Sequence, residues 1–202
     1  MSNSDRVVLA LGGAGTVGSG IVKALLDKGK LPRGHLTTSC LNVVAESFPL
    51  LQEGHFLSDY FTFHLLSTLQ VIETLLFSTF VSWKAFFPLV RDDSDCTYTF
   101  ITGGAGDKLL MPGTGFLTVG SASTLAFCQV LREEYPQVPC KLNQVKIDAG
   151  VATPERMTPG YLNHLDLGEA VATLVERRNT SHTVFTVNCP ADLKTVLLER
   201  NL

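Results

Sequence analysis

Apolar and polar positions alternate along this chain with two different periods. Residues 6–11, RVVLAL, form a short apolar run rich in branched side chains, the mark of a strand buried on both faces. Ile21, Ala24 and Leu25 then recur at helical spacing, and Gly29 is placed to stop that helix. A long apolar segment from residue 64 to Phe87 reads as one helix, ended by Pro88 and the acidic turn RDDSD. CTYTFIT (96–102) and KLNQVKI (141–147) read as strands, with a helix over 117–134 between them that stops at YPQVP. DLGEAVATLVERR has the pattern of an amphipathic helix, with Asp166 suited to the N-cap and Glu169 to the capping box, and HTVFTVN is a closing strand. In the stretch 30–60, HLTTSCLNVV is readable as a strand and AESFPLLQEG as a short helix broken by Pro49. Strands alternating with helices predict an α/β layer fold around a parallel sheet.

Composition narrows the class. A chain of 202 residues with 45% hydrophobic and 17% charged residues is long enough for one domain, 1–202, with a sizeable buried core. A formal charge of -3 and the absence of any basic run argue against nucleic acid as a partner. The five cysteines, 40, 96, 128, 140 and 189, are scattered, odd in number and without a CxxC pair, which points to reduced thiols and no metal site. The N-terminal residues contain no apolar run of signal-peptide length, so the expected location is the cytoplasm. Residues 65–90 are apolar but interrupted by Gln70, Glu73 and Lys84, whereas a membrane span needs about 18 or more nearly unbroken apolar residues. A buried or subunit-facing helix is expected, not a membrane partner.

The candidate chemistry starts at GGAGTVG, readable as Gly13-x-Gly15-x-x-Gly18 or as Gly12-x-x-Gly15-x-x-Gly18. Glycines between a strand and a helix let the backbone approach a pyrophosphate, whose charge meets free N–H groups at the helix N-terminus. The context, a buried strand before and an amphipathic helix after, is what the motif requires. The acid that usually follows about 20 residues later to hold the ribose is not evident, the first acid after Asp27 being Glu46. Arg33 is placed either to meet a 2′-phosphate or to remain a solvated side chain. His64 and His164 have no neighbouring nucleophile and carboxylate in sequence and read as structural. Ser121 lacks the flanking glycines of a nucleophile elbow. Phe77, Phe80, Trp83, Phe86 and Phe87, at near-helical spacing, read as core or subunit interface.

From Val7 to about Val187 the order of these features resembles the short-chain dehydrogenase/reductase family. The loop 12–18 is similar to that family's TGxxGxxG element with Leu11 at the threonine, and FVSWKAFFPLV to its long interface helix. YTFITGGAG resembles its fifth strand, VGSASTLAFCQVLREEYP the helix after it, NQVKIDAGVATP its sixth strand and the following turn, and LDLGEAVATLV with VFTVN its closing helix and strand. The resemblance implies a Rossmann-like doubly wound parallel sheet and an NAD or NADP cofactor. It places Gly12, Gly15, Thr16, Val17 and Gly18 on the pyrophosphate and Thr153 on the nicotinamide side. It also implies a carbonyl or alcohol substrate and a homodimer paired through helices 64–87 and 117–134.

The catalytic positions depart from the family. Its tyrosine and lysine fall on Thr118 and Ala122, with Ser121 at its serine of the Y-x-x-S-K pattern, and no tyrosine of the chain has a lysine four residues later. A lysine ammonium lowers a phenol's pKa so that it exchanges a proton during hydride transfer, and an aliphatic alcohol beside an alanine lacks that activation. The family's catalytic serine falls at Thr102 or Gly103 and its helix asparagine at Leu75. In its N-x-x-x-P-G-x-x-x-T turn Gly150 remains, with Val145 and Ala149 at the asparagine and proline, and Thr153 one residue early. Only residues 30–63 separate the first helix from the long one, where the family has three strands, and a strand-helix-strand unit takes about 30 residues. The fold is therefore expected to be shortened there, with partner pairing or poor order at the opened edge. Two functions follow: an NAD(P)-dependent oxidoreductase with Thr102 and Thr118 as its polar helpers, or a non-catalytic binding or dimerisation module.

Overall fold

The computed structural model describes residues 15–28, 65–177 and 179–198. The expected strand 6–11, Gly12 and Gly13, the segment 30–63 with Arg33, and His64 lie outside them. The described residues group into two compact units, one built from 15–28, 149–177 and 187–198, the other from 65–148 and 179–186.

The second unit carries the parallel sheet. Strand β1 (Thr97–Gly103) pairs in parallel with β2 (Lys141–Ile147), Thr97 opposite Lys141 and Gly103 opposite Ile147, and β5 (Val184–Val187) continues the order β1-β2-β5. The expected strand 141–147 is matched residue for residue. Two helices cover one face: α2, which runs Leu65–Ile72, Glu73–Phe77 and Ser78–Phe86, and α3 (Gly115–Glu134). The middle section of α2 is a π-helix, a departure from the regular helix expected. Thr79 and Ser82 bond back to the carbonyls of Leu75 and Ser78 at 2.6 and 2.7 Å, and Ser78 to that of Thr74. Hydroxyls bonded one turn back often bend helices, and π-turns occur mostly as single wide turns inside α-helices.

Residues 98, 100 and 142 share one sheet face by alternation. There Phe100 and Leu142 join Trp83 of α2, Phe87 of the 3-10 turn that follows it, and Cys128 and Leu131 of α3 in a continuous core, with Tyr98 packed against it. Trp83 stacks on Phe87 at 3.6 Å between centroids and meets Tyr98 and Tyr135 edge-on at 5.2 and 5.5 Å. The aromatic cluster therefore divides: Trp83 and Phe87 are core, while Phe77 and Phe80 are 55% and 46% exposed. Three polar residues of β2, Lys141, Asn143 and Gln144, are buried, and each is paired. Asn143 donates to the Thr180 carbonyl and accepts from the Thr183 N–H, Gln144 receives Arg132 of α3, and Lys141 donates to the Ser94 carbonyl.

Burial also sets the thiols of this core. Cys128 is pushed up to about 12 and Cys140 to about 11, both mainly by desolvation of the charged form. Because the folded values lie above the ordinary 9.0, the stability they confer is full below about pH 9 and is lost as pH rises toward 11 or 12. Urea midpoints are expected to hold steady up to about pH 8.5 and fall between about pH 9 and 11, and a Cys128→Ala, Cys140→Ala variant is expected to show a flatter decline. Equal slopes for the two proteins would contradict this origin.

The first unit is built around α1 (Thr16–Asp27) and α4 (His164–Glu176), with α5 (Pro190–Leu198) against α4 and a short parallel pair, β3 (Val151–Ala152) and β4 (Leu162–Asn163). Helices α1 and α4 lie side by side in the same direction: Gly20 meets His164 and Gly168, while Lys28 reaches Thr173 at 3.0 Å and Glu176 at 3.7 Å. A β-carbon on Gly20 would overlap the His164 carbonyl, and one on Gly168 the Gly20 carbonyl. Leu25, Leu162, Leu167, Val171, Leu174, Leu193 and Val196 fill the core of this unit.

This unit departs from the sequence pattern in two places. The N-cap of α4 is Asn163, whose Oδ1 accepts the Leu165 N–H at 2.9 Å, and Asp166 falls in the first turn. Pairing of Leu162–Asn163 with β3 fixes the chain just before the helix, which therefore starts one turn earlier. Helix α5 has no counterpart among the expected elements. Its signal is local: Pro190 at the first helical position and Asp192, whose Oδ2 accepts the Asn188 and Cys189 N–H groups at 2.7 and 3.2 Å. Those bonds, led by the one from Asn188, hold the Asp192 carboxyl below its ordinary value. Among the described residues no helix is long and apolar enough to cross a membrane.

Candidate functional site

In the first unit two of the sequence-predicted residues, Thr16 and Thr153, meet. Gly15 is the N-cap of α1, in extended conformation (φ -73°, ψ 168°), and contributes no side-chain cap. Thr16, Val17 and Gly18 form the first turn, which contains no acidic residue. The amides of a first turn have no partner within their own helix and carry the positive end of its dipole, so among the described residues this terminus presents N–H groups to an anion, with no carboxylate in the turn itself.

Thr16 and Thr153, far apart in sequence, line one cleft of about 530 Å³ together with Val151, Ala152, Glu155, Arg156 and Tyr161. Thr153 precedes a short 3-10 turn, Pro154–Arg156; its carbonyl accepts the Arg156 N–H at 2.9 Å, and its hydroxyl bonds the Glu155 carboxylate. The Glu155 carboxyl is held below its ordinary value, first by its backbone N–H and then by Thr153. Gly150 lies against the Tyr161 ring, which any side chain at 150 would strike. Glu155, Arg156 and Tyr161 are not among the residues the sequence points to. The only local hint is the charged pair just after VATP, since their meeting with Thr16 depends on tertiary placement.

The second unit holds the other two candidates. Thr102, near the end of β1, accepts a hydrogen bond from Gln144 Nε2 at 2.8 Å, so its oxygen is engaged within the sheet, although its own proton is still available. Thr118, in the first turns of α3, reaches the Lys108 carbonyl at 3.5 Å. Four residues on, the Ala122 backbone sits against Gly106, where a β-carbon on the glycine would overlap it. Two ion pairs lie at the carboxyl ends of β1 and β2, Lys146 with Asp107 at 2.6 Å and Lys108 with Asp148 at 3.4 Å. Among the described residues no cluster of His, Cys, Asp or Glu is arranged to hold a metal ion.

Solved structures with the same architecture decide the fold. The TT0495 protein of Thermus thermophilus superposes with a TM-score of 0.66 over 91% of this chain and 97% of its own, at 14% identity. A small-chain dehydrogenase superposes at 0.59 over 91% and 96%, with 15% identity. A short chain dehydrogenase/reductase family protein gives 0.52 over 67% and 60%, with 16% identity. The fold is Rossmann-like. No protein-family model matches the sequence, and no curated protein does.

Proposed function

We propose that this chain binds NAD or NADP and, where it acts on a substrate, exchanges hydride with a small carbonyl or alcohol. The observation that supports this most is the meeting of Thr16, at an uncapped helix N-terminus, with Thr153 in one cleft. The features that suit a dinucleotide are a first turn without carboxylates for the pyrophosphate, small side chains for close backbone approach, and Arg156 as a cation lining the cleft, beside Glu155, whose carboxylate is engaged by the Thr153 hydroxyl. Gly12, Gly15, Thr16, Val17 and Gly18 would hold the phosphates, and Thr153 the nicotinamide end. Bound there, the cofactor supplies or accepts the hydride. The family resemblance gives Thr118 and Thr102 the part of polar helpers to a substrate oxygen. With alanine at 122 no ammonium lowers the hydroxyl's pKa, so water or the substrate itself has to carry the proton.

The rival reading, a non-catalytic module that pairs with a second copy, is favoured by Thr118 and Ala122, which stand where the resembled enzymes have their tyrosine and lysine. Leu69, Phe77, Phe80 and Val81 on α2, and Val119 and Val130 on α3, are all more than two-fifths exposed. We take this face as the homodimer surface in either reading; a monomer in sedimentation at micromolar concentration would remove that part. The four described cysteines are free thiols, in keeping with a cytoplasmic location.

Thr153→Trp is the variant that tests cofactor binding, because an indole would fill the cleft. NADPH affinity, read from the fluorescence of its reduced ring, is expected to weaken at least tenfold, about 1.4 kcal/mol, with circular dichroism unchanged. Equal affinity for variant and wild type would take Thr153 out of the site.

A further inference from the structure

A second constellation, wholly within the other unit, is used by none of this. The turn leading into β5 holds Ser181 and His182, and His182 has φ +58°, among the described residues the one non-glycine in the left-handed region. Such a conformation is strained for a residue with a β-carbon and persists where the surroundings over-determine it. Here the determinants are visible. His182 Nε2 lies 2.8 Å from the Tyr135 carbonyl oxygen, and its Nδ1 lies 2.9 Å from Ser181 Oγ.

The tautomer follows from those partners. A carbonyl only accepts, so Nε2 carries the hydrogen, and in the neutral ring Nδ1 is left bare to accept the Ser181 hydroxyl proton. That is the relation of a serine to its general base, with a backbone carbonyl orienting the ring where a carboxylate often does. Ser181 Oγ also accepts the Leu142 N–H at 3.2 Å, a donor that would favour an oxyanion over a neutral hydroxyl. Both residues line a cavity of about 370 Å³ shared with Asn179 and Lys141. Lys141, which is buried and donates to the Ser94 carbonyl, is the cation among the residues lining that cavity.

We propose that Ser181 and His182 form a nucleophile and base that take acyl groups from small activated esters. Ser181 Oγ bonds to the ester carbonyl carbon as its proton passes to His182 Nδ1. The bond to the leaving alcohol then breaks, and that proton goes to the departing oxygen. Water, deprotonated by the same nitrogen, adds to the acyl carbon; the bond from that carbon to Ser181 Oγ then breaks and the proton returns to Oγ, so that ester and water become acid and alcohol. This assignment is independent of the dinucleotide reading, since it uses none of the residues placed on the cofactor.

The test is to treat the full chain with an alkyl fluorophosphonate and locate the adduct by peptide mass spectrometry. The expected result is one adduct on Ser181, absent in Ser181→Ala and formed at least a hundredfold more slowly in His182→Asn. Asparagine tolerates positive φ, so it removes the base without breaking the turn. His182→Gly, which also accepts that backbone, serves if the asparagine variant does not fold. No adduct on folded wild type, an adduct elsewhere, or an undiminished rate in the histidine variants would overturn the assignment.

Discussion

Gly168→Val is expected to lower the melting temperature by roughly 10 °C and Gly20→Val by a similar amount. At both positions the obstruction is backbone, not a flexible side chain: a β-carbon at 168 overlaps the carbonyl of Gly20, and one at 20 overlaps the carbonyl of His164. Relief requires α1 and α4 to separate, which uncovers Leu25, Leu167 and Val171. Overpacking ordinarily costs about 1–3 kcal/mol, and a clash with backbone belongs at or above the top of that range. In a chain of this size, 1 kcal/mol is worth about 2–4 °C. Calorimetric melting of both variants beside Gly18→Ala checks it; melting temperatures within about 2 °C of wild type, the effect of less than 1 kcal/mol, would mean that the two helices do not cross as described.

Phe87→Ala is the second large effect. Phe87 is 3% exposed, stacks on Trp83, and meets Tyr98 and Tyr135 edge-on at 5.9 and 5.1 Å. Removing a buried phenyl ring costs about 3–5 kcal/mol, the loss of transfer energy plus the cavity left behind. Trp83 is the one tryptophan of the chain, so it reports directly on this core. The variant is expected to unfold at a markedly lower urea concentration, with Trp83 emission moving to the red in the native baseline. A loss under about 1 kcal/mol, far below the usual range for such a truncation, would show that the aromatic cluster is not the centre of the core.

How much of this is legible in the sequence varies by element, for physical reasons. β2 is readable to the residue because a turn signal, Pro139–Cys140, and the loop after Ile147 bound it on both sides, although its buried lysine, asparagine and glutamine depend on partners that lie far away in sequence. The start of α4 is misread from sequence because NHLD offers two residues able to cap, and only the pairing of β4 with β3 selects Asn163. The wide turn in α2 leaves only a trace, the hydroxyls at 78, 79 and 82. In the cleft, Thr16 and Thr153 can be named from the loop and the turn, whereas Glu155, Arg156 and Tyr161 follow from where a 3-10 turn and a glycine place them. The pair Ser181 and His182 carries no motif at all; it becomes visible only through a backbone angle and a carbonyl 47 residues away in sequence.

The central claim is that the N-terminus of α1 holds a dinucleotide, and the most direct measurement is a calorimetric titration of the purified chain with NADPH and with NADH, beside Gly15→Trp. Gly15 is exposed and extended, so the variant keeps the helix while its side chain stands in the path of the pyrophosphate. Saturable heat with at least one cofactor, lost in the variant, is the predicted result. No heat with either cofactor from folded protein, or equal binding by wild type and variant, would contradict it.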